Sequence, residues 1–273
     1  MDPRFAKLPR SLAERATIGT LGDGVPALIA LPEGEGPVPF VLWMHGRTVS
    51  KELDPGRYLR WVRAGIGAVA LDLPGHGERF EPGSHDPERT PSVIGRMVSE
   101  IDAVLGSIRD GHPRLDTDRA AIGGMSAGGM ATLRRLCDPH PFVAAAVEGT
   151  SGDLHALYFP DSASPDGHWP VRHDPGVVNP IDPNQHLDTF RPIPLLALHN
   201  EGDALVPISI QRAFLVRLQD HYRAAGADPG LIELHTFSDT GAPQEHAGFG
   251  RHANEAKNIQ LAFLERFLLD RQG

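Results

Sequence analysis

A serine lies between small residues in the stretch 124–128, directly after a short apolar run at 120–123. The pattern is GxSxG, in which Ser126 occupies a sharp turn between a strand and a helix. Glycine on both sides prevents side chains from colliding in so tight a turn, and the strained serine projects its hydroxyl outward. The pattern therefore predicts a nucleophilic serine. Small residues are common, however, so a helix that merely packs closely on a strand stays open as an alternative at this point.

A serine hydroxyl needs a base within hydrogen-bond reach and an acid that orients the base. Asp203 follows a predicted strand at 195–199, and His246 follows a predicted strand at 232–237 and precedes the last predicted helix. The carboxyl ends of parallel strands meet at one edge of a sheet, so these three side chains should converge there. The sequence thus predicts a catalytic triad of Ser126, His246 and Asp203.

Other residues compete for these roles. Glu148 and Asp153 lie beyond the strand that precedes them and are alternative acids, and His252 is an alternative base. His199, at a strand end, is interpreted as structural. These alternatives stay open from the sequence.

The negative charge that develops on a substrate oxygen needs two aimed hydrogen-bond donors, which backbone N–H groups can supply. Ala127, at the start of the helix after the serine, is one candidate. The second should lie in the turn after the strand at 40–44, where we favour Arg47 over Thr48. The oxyanion hole is accordingly predicted from the backbone of Arg47 and Ala127.

Strand-like and helix-like runs alternate through most of the chain, which predicts an α/β fold with a mostly parallel sheet and helices on both faces. An N-terminal hairpin of residues 17–21 and 27–31 is predicted to precede it. The further strands are predicted at 40–44, 66–71, 120–123, 143–147, 195–199 and 232–237, and the helices at 57–64, 92–109, 127–137, 208–221 and 253–269.

The segment 149–192 is rich in Pro, Asp, His and Gly and shows little periodicity. Long irregular segments inside a compact domain are usually functional, so this one is predicted to be a small lid or cap over a pocket. A surface excursion without catalytic effect is the alternative. We expect one domain over residues 1–273, with the lid as an insertion in it.

Composition restricts the partners. The formal net charge is −9 and the pI is about 5.8, which argues against nucleic acid and favours a small-molecule substrate.

The first residues resemble no secretory signal, and no apolar stretch is long enough for a membrane span, so we expect a cytoplasmic protein. The single cysteine, Cys137, is expected to be a buried helix residue. The 14 histidines form no metal-binding pattern, and no metal or cofactor is expected. Whether a homodimer forms is left open.

These residues resemble the α/β-hydrolase superfamily, and within it the dienelactone-hydrolase-like and prolyl-oligopeptidase-like bacterial carboxylesterases. The resemblance spans roughly residues 38–270. It implies an eight-stranded α/β-hydrolase fold, the triad Ser126, Asp203 and His246, and oxyanion donors at Arg47 and Ala127. Its marks are His45-Gly46 with Thr48 and Lys51-Glu52, the turn from Asp72 to Gly77 with Arg79-Phe80, the serine motif, Gly202-Asp203 with Val206-Pro207, and His246 with Phe249.

The chain departs from the family pattern at two places. Asn200 follows His199 where the family often has glycine, and Glu245 precedes His246 where glycine is also frequent. The turn from Asp72 to Gly77 is interpreted as structural, with its glycines setting the backbone and Asp72 capping neighbouring amides. Arg79 and Arg47 are candidate partners for a substrate carboxylate.

We therefore expect a carboxylic ester hydrolase, with a preference for short acyl groups, that acts through an acyl-enzyme on Ser126. The alternative is a peptidase or amidase with the same triad. A non-catalytic binding module would have little reason to keep all three residue types. A dinucleotide-dependent oxidoreductase is disfavoured because the glycines at 123–129 do not give GxGxxG.

Overall fold

The computed structural model describes residues 8–159, 169–242 and 244–269. Their centre is a sheet of eight strands in the order β1-β2-β4-β3-β5-β6-β7-β8. The pairs β1/β2 and β2/β4 are antiparallel, and every other neighbouring pair is parallel. The strands are β1 Ala16–Leu21, β2 Val25–Ala30, β3 Val38–Met44, β4 Gly67–Leu71, β5 Leu115–Met125, β6 Ala144–Glu148, β7 Leu195–Asn200 and β8 Ile232–Phe237.

Helices cover both faces of the sheet, as the sequence predicts. Alternate residues of β3 point to opposite cores: Phe40 and Leu42 contact the side of α3, α4 and α7, whereas Val41 and Trp43 contact the side of α1, α2 and α8. Burial on both faces explains why the central strands are almost wholly apolar. The helices are α1 Arg10–Ala13, α2 Pro55–Arg63, α3 Thr90–Gly111, α4 Ala127–Arg135, α5 Leu154–Tyr158, α6 Pro175–Val178, α7 Ile208–Ala224 and α8 Ala253–Leu268.

The N-terminal hairpin and the later strands and helices agree with the predicted elements to within a few residues. Two differences are larger. The four-residue helix α1 was not predicted, although its Leu12 is fully buried against α2 and α8. Strand β5 begins at Leu115, five residues before the predicted run, because its first residue pairs with Val38 before an irregularity in the register.

The segment 149–192 is more ordered than its composition suggests, although residues 160–168 lie outside the described part. It contains α5, α6 and turns of 3₁₀ helix. The side chains of Asp153, Asp174 and Asp182 each accept a hydrogen bond from a backbone N–H group at the start of one of these elements. An aspartate followed by proline starts two of them, a signal that sequence reasoning could have used. Its role as a lid stays a prediction.

A further feature concerns burial. Cys137 is buried just beyond the end of α4, and burial raises the pKa of its thiol to about 12.

None of the helices in the described residues combines the length and apolarity that a bilayer crossing requires.

Candidate active site

Ser126 occupies the turn between β5 and α4 with φ +52° and ψ −119°. A positive φ is costly for a residue other than glycine and is kept only where the surroundings enforce it. A Cβ atom added to Gly124 would lie 2.4 Å from the carbonyl carbon of Gly128, and one added to Gly128 would lie 2.3 Å from the carbonyl oxygen of Met44. Glycine is therefore required on both sides of the serine, as the motif predicts.

The structure brings together the three side chains that the sequence selects. The Oγ atom of Ser126 lies 2.8 Å from Nε2 of His246, and Nδ1 of His246 lies 2.7 Å from Oδ2 of Asp203. A carboxylate only accepts hydrogen bonds, so Nδ1 carries the proton and Nε2 is left to accept the serine O–H. This arrangement can withdraw a proton from the serine. The catalytic roles of the three residues stay a prediction.

The turn after β7 holds Asp203 in place. Its Oδ1 atom accepts hydrogen bonds from the N–H groups of Leu205 and Val206, each at 2.9 Å. Nε2 of His199 donates to the carbonyl oxygen of Val206 at 2.8 Å and so supports the same turn. Burial lowers the pKa of His199, which favours the neutral imidazole. His199 is a structural residue here, in agreement with its interpretation from the sequence.

The loop that carries His246 is held by the two residues that depart from the family pattern. The side-chain NH₂ group of Asn200 donates to the carbonyl oxygens of Glu245 and Gly248, which flank His246. The Glu245 carboxylate in turn accepts a hydrogen bond from Oγ1 of Thr240 at 2.6 Å. Asn200 and Glu245, the two residues that depart from the family pattern, therefore contact each other. Sequence reasoning recorded both positions but did not connect them, because they are 45 residues apart.

The two predicted oxyanion donors, Arg47 and Ala127, each follow a residue at the nucleophile turn. A Cβ atom added to Gly46 would be 3.5 Å from Cβ of Ser126, so the loop after β3 directly contacts the serine. Ala127 is the first residue of α4, and the first N–H groups of a helix have no acceptor within the helix. That the backbone N–H groups of Arg47 and Ala127 receive the oxyanion stays a prediction.

The side chain of Arg47 has a structural task. Its guanidinium group donates to Oγ1 of Thr90 and, at 2.9 Å each, to the carbonyl oxygens of Ser84 and Asp86. Arg47 thereby ties the loop after β3 to the segment between β4 and α3. Arg79, the other candidate for a substrate carboxylate, forms two hydrogen bonds of 2.6 and 2.7 Å with Glu100. Both arginines are engaged with the protein itself.

A buried ion pair joins the loop after β3 to the turn after β4. Asp72 accepts hydrogen bonds from Nζ of Lys51 at 2.8 Å and from the Lys51 N–H at 2.9 Å, and both side chains are fully buried. Burial by itself would raise the pKa of Asp72, but hydrogen bonds with His45, Lys51 and the Glu78 N–H lower it to about 2. Asp72 caps amides as predicted, whereas the role of Lys51 was missed.

The alternative acids and base are engaged elsewhere. The carboxylate of Glu148 contacts both terminal nitrogens of the buried Arg57, at 2.5 and 2.8 Å. Asp153 caps α5 and pairs with Arg217. Nδ1 of His252 lies 3.0 Å from the Glu255 carboxylate. Within the described residues, no three His, Cys, Asp or Glu side chains are grouped as a metal site.

Comparisons with known proteins give a consistent family assignment. Residues 98–271 match the model of the prolyl oligopeptidase family. The esterase YjfP of Escherichia coli strain K12 is 26% identical over 228 residues, which are 76% of this chain and 88% of that protein.

Solved structures give the same fold. The structure of TT1662 from Thermus thermophilus matches with a TM-score of 0.70 at 24% identity and covers 94% of this chain and all of that one. A puromycin-hydrolyzing peptidase of Mycobacterium tuberculosis matches with a TM-score of 0.72 at 21% identity over 97% of this chain, which is 41% of that protein. The fold is that of the α/β-hydrolases.

Proposed function

This chain belongs to the prolyl oligopeptidase family of serine hydrolases, and from that premise we propose that it cleaves carboxylic esters through an acyl-enzyme on Ser126. The observation that carries the proposal is the continuous hydrogen-bonded series from Ser126 through His246 to Asp203. Nucleophile, base and orienting acid stand in the order and at the distances that acyl transfer requires.

In the first half of the reaction, Nε2 of His246 takes the hydroxyl proton while Oγ of Ser126 attacks the ester carbonyl carbon. The carbonyl oxygen becomes negative and accepts hydrogen bonds from the backbone N–H groups of Arg47 and Ala127. His246 then gives its proton to the leaving alcohol oxygen as the carbon–oxygen bond breaks. The acyl group stays on Ser126.

In the second half, water replaces the alcohol. His246 takes a proton from the water, whose oxygen attacks the acyl carbon, and the proton passes to Oγ of Ser126 as the acid leaves. Asp203 accepts a hydrogen bond from the Nδ1–H group throughout and stabilises the imidazolium that forms in each half. The fixed tautomer of His246 follows from this contact.

Aromatic packing against the nucleophile helix α4 supports a preference for short acyl groups. The ring of Tyr158 lies 4.9 Å from the ring of Trp169 and 4.7 Å from that of His173. The hydroxyl of Tyr158 contacts Sδ of Met130, one helical turn beyond Ser126. We take these packed rings as a limit on the length of the acyl group.

The identity of the E. coli relative, an esterase, also supports ester cleavage. A second candidate is a peptidase or amidase that uses the same residues, and the match to the family model favours it. The two differ in whether the site can expel an amine.

The test is a panel of p-nitrophenyl acetate, butyrate and longer esters, with matched acyl p-nitroanilides for the amide reaction. We expect rapid cleavage of the short esters and a loss of roughly 10⁴- to 10⁶-fold in kcat for Ser126→Ala. Undiminished turnover by Ser126→Ala would refute the mechanism, and anilides cleaved as fast as esters would favour the second candidate.

A further inference from the structure

A pocket of about 640 Å³ lies between the loop that follows β3, the start of α2, the loop that carries His246 and the start of α8. We call it the α2–α8 pocket. Its volume is within the range of about 300–1,000 Å³ that is usual for small-molecule sites. The apolar residues that form its walls are Trp43, Leu53, Tyr58, Met125, Phe249 and Ala253.

The wall of the pocket includes the residues that are next in sequence to Ser126 and His246. Its wall includes Met125, which precedes Ser126, and Ala247, which follows His246. Gly46, also in the wall, comes close enough to Ser126 that an added Cβ would be 3.5 Å from the serine Cβ. These wall residues place the pocket next to the loops that carry the nucleophile and the base.

Charged side chains in the pocket compensate one another. Glu148 accepts two hydrogen bonds from Arg57, whose guanidinium group also lies 3.2 Å from Asp54. Asp54 pairs in turn with Nζ of Lys257 at 3.0 Å. Two acids and two bases therefore neutralise each other, and the fifth charged side chain of the wall, Arg251, pairs with Asp239 at 2.6 Å. Because burying an unpaired charge is costly, such a pocket is suited to a neutral, apolar group.

We propose that the α2–α8 pocket receives the leaving group of the ester and selects neutral, flat, ring-sized alcohols such as phenols and naphthols. The inference rests on the proposed function. His246 protonates the leaving oxygen through Nε2, so the leaving group must lie on the side of the His246 loop. Residues 247–251 of that loop form one wall of the pocket. The packed rings of Tyr158, Trp169 and His173 are not part of this wall, and Tyr158 contacts Met130 of α4 instead.

The test compares phenyl acetate with 2-naphthyl acetate, which share an acyl group and differ in the size of the leaving group. We expect the wild type to favour the naphthyl ester. Leu53 is 52% exposed in the pocket wall, so Leu53→Trp should fill the pocket without disturbing the core. The naphthyl-to-phenyl ratio of kcat/KM should fall at least about tenfold, the effect expected of a change of a few carbons in an apolar pocket.

The matched control is Val216→Trp, an exposed aliphatic residue on α7 that is 55% accessible and lies outside the pocket wall. It should leave the ratio unchanged. Ala253→Leu fills the pocket from the α8 side and should lower the ratio as Leu53→Trp does. Both acetates form the same acetyl-enzyme, so within each enzyme the deacylation rate after the burst should be equal for the two esters.

Two results would overturn the inference while leaving the proposed function intact. One is an unchanged naphthyl-to-phenyl ratio in both pocket variants that remain folded by thermal denaturation. The other is a changed dependence on acyl length in the p-nitrophenyl series, which would assign the pocket to the acyl group. Undiminished activity of Ser126→Ala, or a wild type that cleaves none of the esters, would instead refute the proposed function and the inference together.

Discussion

The sharpest prediction concerns Asn200, whose side chain donates hydrogen bonds to the carbonyl oxygens of Glu245 and Gly248. Asn200→Ala removes both bonds, and each is worth about 1 kcal/mol, so about 2 kcal/mol that holds His246 in place is lost. At 1.4 kcal/mol for each factor of ten, kcat/KM for p-nitrophenyl acetate should fall about 10- to 30-fold. The kcat/KM of Asn200→Asp should fall at least as far, because this substitution directs a carboxylate at two carbonyl oxygens.

The control is Asn254→Ala, which removes an exposed asparagine that accepts a hydrogen bond from Arg60 at 2.8 Å on the outer side of α8. Its kcat/KM should stay within about twofold of the wild type, because exposed positions of this kind contribute little. The rate of labelling of Ser126 by a fluorophosphonate gives an independent measurement, since labelling also requires the base. If Asn200→Ala keeps wild-type kcat/KM and labelling rate, the reasoning that this clamp positions His246 is wrong.

Three further predictions concern stability. Lys51→Met removes the cationic partner of the buried Asp72, which retains hydrogen bonds from the N–H groups of residue 51 and Glu78, and should lower the free energy of unfolding by about 3–5 kcal/mol in urea titrations; a loss below about 1 kcal/mol would contradict the buried pair. Burial lowers the pKa of His76 from 6.5 to about 4, so the folded protein is most stable above pH 6.5, where this histidine is neutral. Up to about 3 kcal/mol of the free energy of unfolding is lost as the pH falls from 6.5 to 4. His76→Asn should flatten that part of the pH profile of unfolding, and an identical slope would argue against it. Gly128→Ala would force a methyl group within 2.3 Å of the Met44 carbonyl oxygen and should lower the midpoint of thermal denaturation, at a cost of about 1–3 kcal/mol or more; an unchanged midpoint would contradict the tight turn.

The sequence predicted the elements whose pattern is local. Apolar runs of five or six residues indicated the central strands, and GxSxG indicated the turn that places Ser126 between β5 and α4. The convergence of Asp203 and His246 followed from the topology, because residues after parallel strands share one edge of the sheet. The observed contacts at 2.7 and 2.8 Å agree with that expectation.

The sequence could not predict contacts that depend on side-chain packing between distant segments. Arg47 was a candidate for a substrate carboxylate, but its guanidinium group is satisfied by residues 37 to 43 positions away. Glu148 was a candidate acid, but Arg57 lies 91 residues before it and neutralises it in the core. The pairing of these charges depends on how distant segments pack on the two faces of the sheet, so no local sequence pattern predicts it.

The buried thiol of Cys137 makes the chain convenient for site-directed labelling. It is the single cysteine of the sequence, and its raised pKa of about 12 leaves almost no thiolate to react with maleimides or iodoacetamide. A cysteine introduced at an exposed position such as Leu205, in the turn that holds Asp203, would therefore be the only one modified, and Cys137 could be kept. Fluorophores or spin labels attached there could report on this turn in a chain whose core is unaltered.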